Sequence, residues 1–158
     1  MPVTENEFRQ ALSCFASGIT VVTTKDAVGD PHGLTVSAFC SVSLAPPLVL
    51  ICIERATASH HAFTESQAFV VNILDASHTY LSEQFAAPSG DKFENVNIRP
   101  GIFGIPLLTD AIANIECRLL TAHNGGDHSI FVGEVETTTI KEGGPLIYFQ
   151  GEYRALSE

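Results

Sequence analysis

Ile19-Thr-Val-Val-Thr-Thr24, Asp26-Ala-Val-Gly-Asp-Pro31, Gly33-Leu-Thr-Val-Ser37 and, behind Pro46-Pro47, Leu48-Val-Leu-Ile-Cys-Ile53 decide the fold. The first is β-branched throughout, which suits a pleated strand better than a helix. The second holds the Asp, Gly and Pro of a turn, so the chain should fold back as a hairpin into the third. The fourth is a short apolar run whose length and branching predict a strand covered on both faces, by a barrel or by a dimer interface.

Working outward, Thr4 and Glu7 have the spacing of a capping box, and Phe8, Ala11, Leu12 and Phe15 recur at helical intervals. A helix is predicted over 5–16, ended by Gly18. Thr57 should cap a short helix through Phe63, Ala68–Leu74 should be a buried strand, and Ser77 should cap a helix carrying Tyr80, Leu81 and Phe85. Residues 86–106 dissolve into Pro, Gly, Asp and Asn, the mark of a packed loop. Ala113, Ile115, Cys117 and Leu119 alternate with Asn114, Glu116 and Arg118, predicting a strand with one wet face. Ile130–Ile140 and Pro145–Phe149 supply the last strands. With about seven strands joined by turns rather than crossover helices, the expectation is a mainly β fold with short helices, an antiparallel barrel rather than a doubly wound sheet. The length, 158 residues, fits a single domain over 1–158.

Hydrophobic residues make up 45% of the chain and charged ones 16%, an apolar balance that predicts surface buried between subunits of a homodimer. The formal charge is −10, and the 8 basic residues do not cluster, which argues against nucleic acid as a partner. Cys14, Cys40, Cys52 and Cys117 show no CxxC spacing, and Met1–Gln10 holds no basic region followed by an apolar stretch. That pattern predicts reduced thiols and a cytoplasmic protein. No apolar run approaches the roughly 20 residues that span a bilayer, so no membrane is expected.

The nucleotide motifs GxGxxG and GxxxxGK[ST] are absent. Adjacent His60 and His61 point apart on a helix, and His32, His78, His123 and His128 lack paired metal spacing, so no metal is expected. Within Gly33–Ser43 the hydroxyls Thr35, Ser37, Ser41 and Ser43 all fall on odd positions and would share one face of a strand, either a wet face or a polar lining for a ligand. Gly126-Asp-His128-Ser places a histidine at a turn-to-strand junction, where its ring can face a cleft and manage protons near neutral pH. Lys92-Phe93 sets a cation beside an aromatic ring, a pairing suited to a nucleotide base and its phosphate. Tyr148-Phe-Gln-Gly-Glu-Tyr-Arg154 reads as edge-strand packing.

In order and spacing these segments resemble the flavin reductase family, whose members supply reduced flavin to two-component monooxygenases. The matching pieces are Phe15–Thr24, Gly33–Ala38 with Ser41–Ser43 and Pro46-Pro47, Phe69–Leu74, Leu81–Phe85, Gly126–Val135 and Pro145–Arg154. The resemblance implies an FMN-binding split barrel that dimerises through its sheet, with FMN or FAD as cofactor and NADH or NADPH as hydride donor. It would set Thr35, Val36, Ser37 and Ala38 along one edge of the flavin ring, and Cys52 and Ile53 along another. Ser59 would receive the ribityl phosphate, Lys92 and Phe93 would reach an outer phosphate or adenine, and Phe85 would be a further cofactor-binding residue. His128 would stand near the nicotinamide as the catalytic residue, and Tyr148 and Arg154 would border the cleft. Val36 is bulkier than the small residue the family often carries there. The implied activity is flavin reduction by hydride transfer, with reduced flavin passed to a monooxygenase partner. Rival readings on the same fold are a non-catalytic flavin or haem carrier, a flavin electron shuttle, and an oxidase of a phosphorylated vitamin, for which the scattered arginines and lysines offer no basic pocket.

Overall fold

The computed structural model describes residues 3–157. Helix α1 (Glu5–Ser13) opens the chain, with the Thr4–Glu7 capping box formed as the spacing predicts. It stops at Cys14, short of the predicted end, and buries none of its residues. Strands β1 (Ser17–Gly18), β2 (Thr20–Lys25), β3 (Pro31–Val36), β4 (Phe39–Leu44) and β5 (Pro47–Glu54) follow. Then come α2 (His60–Glu65), β6 (Ala68–Ile73), α3 (Thr79–Ala86), β7 (Ile98–Pro100), β8 (Pro106–Leu108), β9 (Ala113–Gly125), β10 (His128–Ile140), β11 (Ile147–Phe149) and β12 (Glu152–Arg154).

Seven strands form one antiparallel sheet in the order β3-β2-β6-β9-β10-β5-β4. Its two edges, β3 and β4, are consecutive in the chain and separated only by Ser37 and Ala38. In a flat sheet the edges would lie about 29 Å apart at the usual interstrand spacing. The linker reaches at most about 11 Å. The sheet therefore must curl until its edges meet, with Ser37 and Ala38 as the corner between them. The expected antiparallel, mainly β barrel is the fold that results.

Val22, Val36, Val49, Ile51, Ile53, Phe63, Phe69 and Phe131 fill the barrel. A second cluster, with Ile19, Val21, Leu74, Leu81, Phe85 and Leu146, lies beneath α3. Strands β2 and β6, between the two clusters, are buried on both faces. Leu48–Ile53 differs from its prediction: Val49, Ile51 and Ile53 point inward, while Leu48, Leu50 and Cys52 are only half-buried within one chain.

The strand at 113–119 has no wet face in its first half. Asn114 and Glu116 are buried because the segment carrying β7 and β8, predicted as structureless, folds over them. Buried polar groups need partners. Asn72 Oδ1 accepts from the Leu108 N–H at 3.0 Å and from Asn114 Nδ2 at 2.9 Å, and Glu116 accepts from the Ile102 N–H at 2.7 Å. The two predicted caps also move. Ser59, not Thr57, occupies the N-cap of α2, and Thr57 donates instead to the Glu54 carbonyl. Asp75 caps a 3-10 turn that runs into α3, with Ser77 as its hydrogen-bond donor.

Candidate functional site

A cleft of about 910 Å³ opens beside β3, walled by Pro31–Thr35, by Ala56–Ser59 ahead of α2, and by Phe85–Phe93, the end of α3 and the loop after it. This size lies at the upper end of cofactor and ligand pockets. Of the sequence-predicted residues, Thr35, Ser59, Phe85, Lys92 and Phe93 meet here.

Gly33 forms the floor, where a Cβ would stand 2.6 Å from the Phe85 ring and 3.3 Å from Phe93. Only a bare backbone lets the two aromatics approach. Phe85 and Phe93 pack edge to face with centroids 5.1 Å apart, a preferred aromatic geometry. Lys92 does not extend into the cleft as a solvated cation. Its Nζ donates to the Phe85 carbonyl at 2.9 Å and the Gly33 carbonyl at 3.3 Å, which fastens the loop to β3. Desolvation holds its pKa below the ordinary lysine value. Gln84 Nε2 braces the same loop on the Lys92 and Glu94 carbonyls, both at 2.9 Å.

The Gly33–Ser43 segment is not one strand, so its hydroxyls do not form one file. The chain turns at Ser37-Ala38, and a register shift lies between Ser41 and Ser43. Thr35 Oγ1 donates to the Ser82 carbonyl at 2.6 Å and so ties β3 to α3. Val36 and Ile53 point into the barrel core and can offer a cofactor only their backbone.

A second group gathers on the outer face of β5 and β10. Cys52 pairs with Ile130 and Glu54 with His128, so these four side chains share that face. Ala38 sits directly beside Cys52, and burial raises the Cys52 thiol pKa. His128 is the first residue of β10, as predicted, after a tight Gly126-Asp127 turn with φ +73° at Gly126. Asp127 Oδ1 lies 2.7 Å from His128 Nδ1. A carboxylate only accepts, so Nδ1 carries the proton and Nε2 is left for a ligand. That hydrogen bond holds the Asp127 carboxyl below the usual aspartate value.

Tyr148 and Arg154 stand apart from both groups. They lie on β11 and β12, which with β1 make a separate three-stranded sheet. Tyr148 packs on Tyr153, whose hydroxyl bonds Ser82 Oγ at 2.9 Å, and Arg154 pairs with Glu152. Sequence reading missed His32, which reaches Asp26 Oδ2 at 3.1 Å and Ser59 Oγ at 3.4 Å. Its position in the same apolar-to-turn junction as Gly33 was the available signal. It also missed that His61 joins Asp26 and His32, since their spacing along the chain shows no pattern.

The site is a cleft beside an edge strand of a closed antiparallel barrel, with a histidine on the outer face of the sheet, and the chain belongs to the flavin reductase family. The flavin reductase like domain matches residues 12–157. The reductase component of 4-nitrophenol 4-monooxygenase/4-nitrocatechol 2-monooxygenase from Rhodococcus opacus is 38% identical over 96% of this chain and 81% of its own. The FMN reductase (NADH) SmoA of Agrobacterium fabrum is 39% identical over 95% of this chain and 85% of its own. Among solved structures, the Streptomyces globisporus NADH:FAD oxidoreductase SgcE6, in complex with NAD and FAD fragments, superposes with a TM-score of 0.93. It is 35% identical, with 99% of this chain and 95% of that one covered.

Proposed function

We propose that this chain reduces FMN or FAD with NADH and hands the reduced flavin to a monooxygenase component. The observation that carries the reading is the cleft beside β3: the Gly33 backbone, the half-buried Phe93 and the Ser59 hydroxyl make a surface for a planar ring system with a polar tail. Thr35 and Phe93 would hold the body of the cofactor and Ser59 would meet its phosphate, whereas Phe85, a predicted cofactor contact, is wholly buried beneath α3 and backs Phe93 instead. The backbone of Val36, Ser37, Ala38 and Ile53 and the edge at Cys52 would supply hydrogen-bonding partners to the ring system. Lys92 sets the loop that shapes the pocket.

A flavin held there supplies a hydride acceptor, so the protein need contribute no nucleophile. His128 orients the nicotinamide through Nε2 while Asp127 fixes its tautomer. NADH is the donor chosen over NADPH. The FMN reductase of Agrobacterium fabrum, 39% identical, carries NADH in its name, and that likeness supports the choice.

The chain works as one domain and as a homodimer, its second copy covering the outer face. The four unpaired cysteines suit the reducing cytoplasm. Among the described residues no helix is long and apolar enough to cross a membrane. Mixing the protein with FMN or FAD and either NADH or NADPH, and following the nicotinamide absorbance band, tests the activity. Turnover with NADH supports the proposal. Tight flavin binding without nicotinamide oxidation would instead mark a carrier.

A further inference from the structure

Asp26, in the β2–β3 turn, His32, on β3, and His61, on α2, each bring a ligand atom within 4.8 Å of the other two. Their hydrogen bonds make this more than proximity. His61 Nδ1 lies 2.9 Å from the Ala58 carbonyl, which can only accept, so Nδ1 carries the proton and Nε2 keeps its lone pair. His32 Nε2 lies 3.1 Å from Asp26 Oδ2, and its other nitrogen faces Ser59 Oγ at 3.4 Å. Asp26 Oδ1 is held by the Val28 and Asp30 N–H groups at 3.1 and 2.9 Å, which aims Oδ2 at His32. An imidazole fixed at one nitrogen by a carbonyl, a second by a hydroxyl, and a carboxylate fixed at one oxygen are the supports that orient ligands around a metal.

We propose that Asp26, His32 and His61 form a binding site for a zinc-class divalent cation on the rim of the cleft. Two histidines and one carboxylate are a recurring zinc donor set that leaves a fourth position open. Ligand atoms about 2.0–2.2 Å from a tetrahedral zinc stand roughly 3.3 Å apart, close to the 3.1 Å already present between Asp26 and His32. His61 is exposed and can close the remaining gap by a small side-chain rotation. The cation replaces the proton shared by Asp26 and His32. The proton on His32 then moves to Nδ1, which donates to Ser59 Oγ, so occupancy is felt at a residue lining the cleft. The site ties the β2–β3 hairpin to α2 and is independent of the flavin assignment.

The test is calorimetric titration of the chelator-stripped full chain with zinc chloride, and with cobalt(II) chloride followed by visible absorption. The expected result is one ion per chain at micromolar concentration or below, with four-coordinate cobalt bands. His61→Ala and Asp26→Asn should each weaken zinc by at least about tenfold and abolish the cobalt bands. His123→Ala, on the exposed end of β9, should bind as the parent does. His61→Ala keeps the test valid if Asp26→Asn disturbs the hairpin. No binding at micromolar zinc, or a His61→Ala protein that binds like the parent, would overturn the proposal, and neither outcome bears on flavin reduction.

Discussion

Gly33 and His128 carry opposite burdens in this account. Gly33 is a demand for empty space. Adding a methyl there drives it against Phe85 and Phe93, and overpacking of this kind costs about 1–3 kcal/mol, more than the roughly 0.4–1 kcal/mol gained by restricting the unfolded chain. Gly33→Ala should therefore lower the urea midpoint and weaken flavin binding together, as unfolding curves and flavin fluorescence titration will read. The role proposed for His128 is orientation alone. His128→Ala should raise the KM for NADH or slow hydride transfer by about ten- to a thousandfold while flavin affinity changes little. Complete loss of flavin binding, or a parent-like reduction rate at every NADH concentration, would contradict the role given to it.

At the scale of elements, Asn72 stands at the centre of a buried polar network that joins β2, β8 and β9 to its own strand, β6. Its Nδ2 donates to the Val21 carbonyl and Thr23 Oγ1 on β2, and its Oδ1 accepts from Leu108 and Asn114 on β8 and β9. Asn72→Ala strands several buried groups at once, each costing about 1–3 kcal/mol. A loss of roughly 3–5 kcal/mol by chemical denaturation is expected, and a loss below 1 kcal/mol would show the network to be dispensable. The same network explains what the sequence could and could not reveal. Periodicity and branching located β2, β5, β6 and α1 because those signals are local. The wet face assigned to Asn114 and Glu116 failed because polarity was read as exposure, whereas the β7–β8 segment covers it and supplies donors. The hydroxyl file of Thr35, Ser37, Ser41 and Ser43 failed because a corner and a bulge break period two. Thr35, Ser59, Phe85, Lys92 and Phe93 were legible as a group only through family resemblance, and no local pattern reveals that Lys92 turns back onto carbonyls.

The whole chain leaves apolar surface that one copy does not cover. Phe8 and Leu12 on α1 and Phe15 just beyond it are 54%, 57% and 78% exposed, and Val42 and Leu44 on β4 are 50% and 92% exposed. Leu48, Leu50 and Cys52 add a half-buried sheet face beside His128. Surface of this kind marks association, and a second copy over it would also wall the nicotinamide side of the site. Sedimentation should give a dimer at micromolar concentration, and a stable folded monomer there would contradict this. The most direct test of the central claim is anaerobic stopped-flow mixing of the flavin-loaded protein with NADH, following the flavin absorbance. Rapid bleaching of the oxidised flavin is expected, far faster than NADH achieves with free flavin. Bleaching no faster than the uncatalysed reaction, with flavin demonstrably bound, would contradict it.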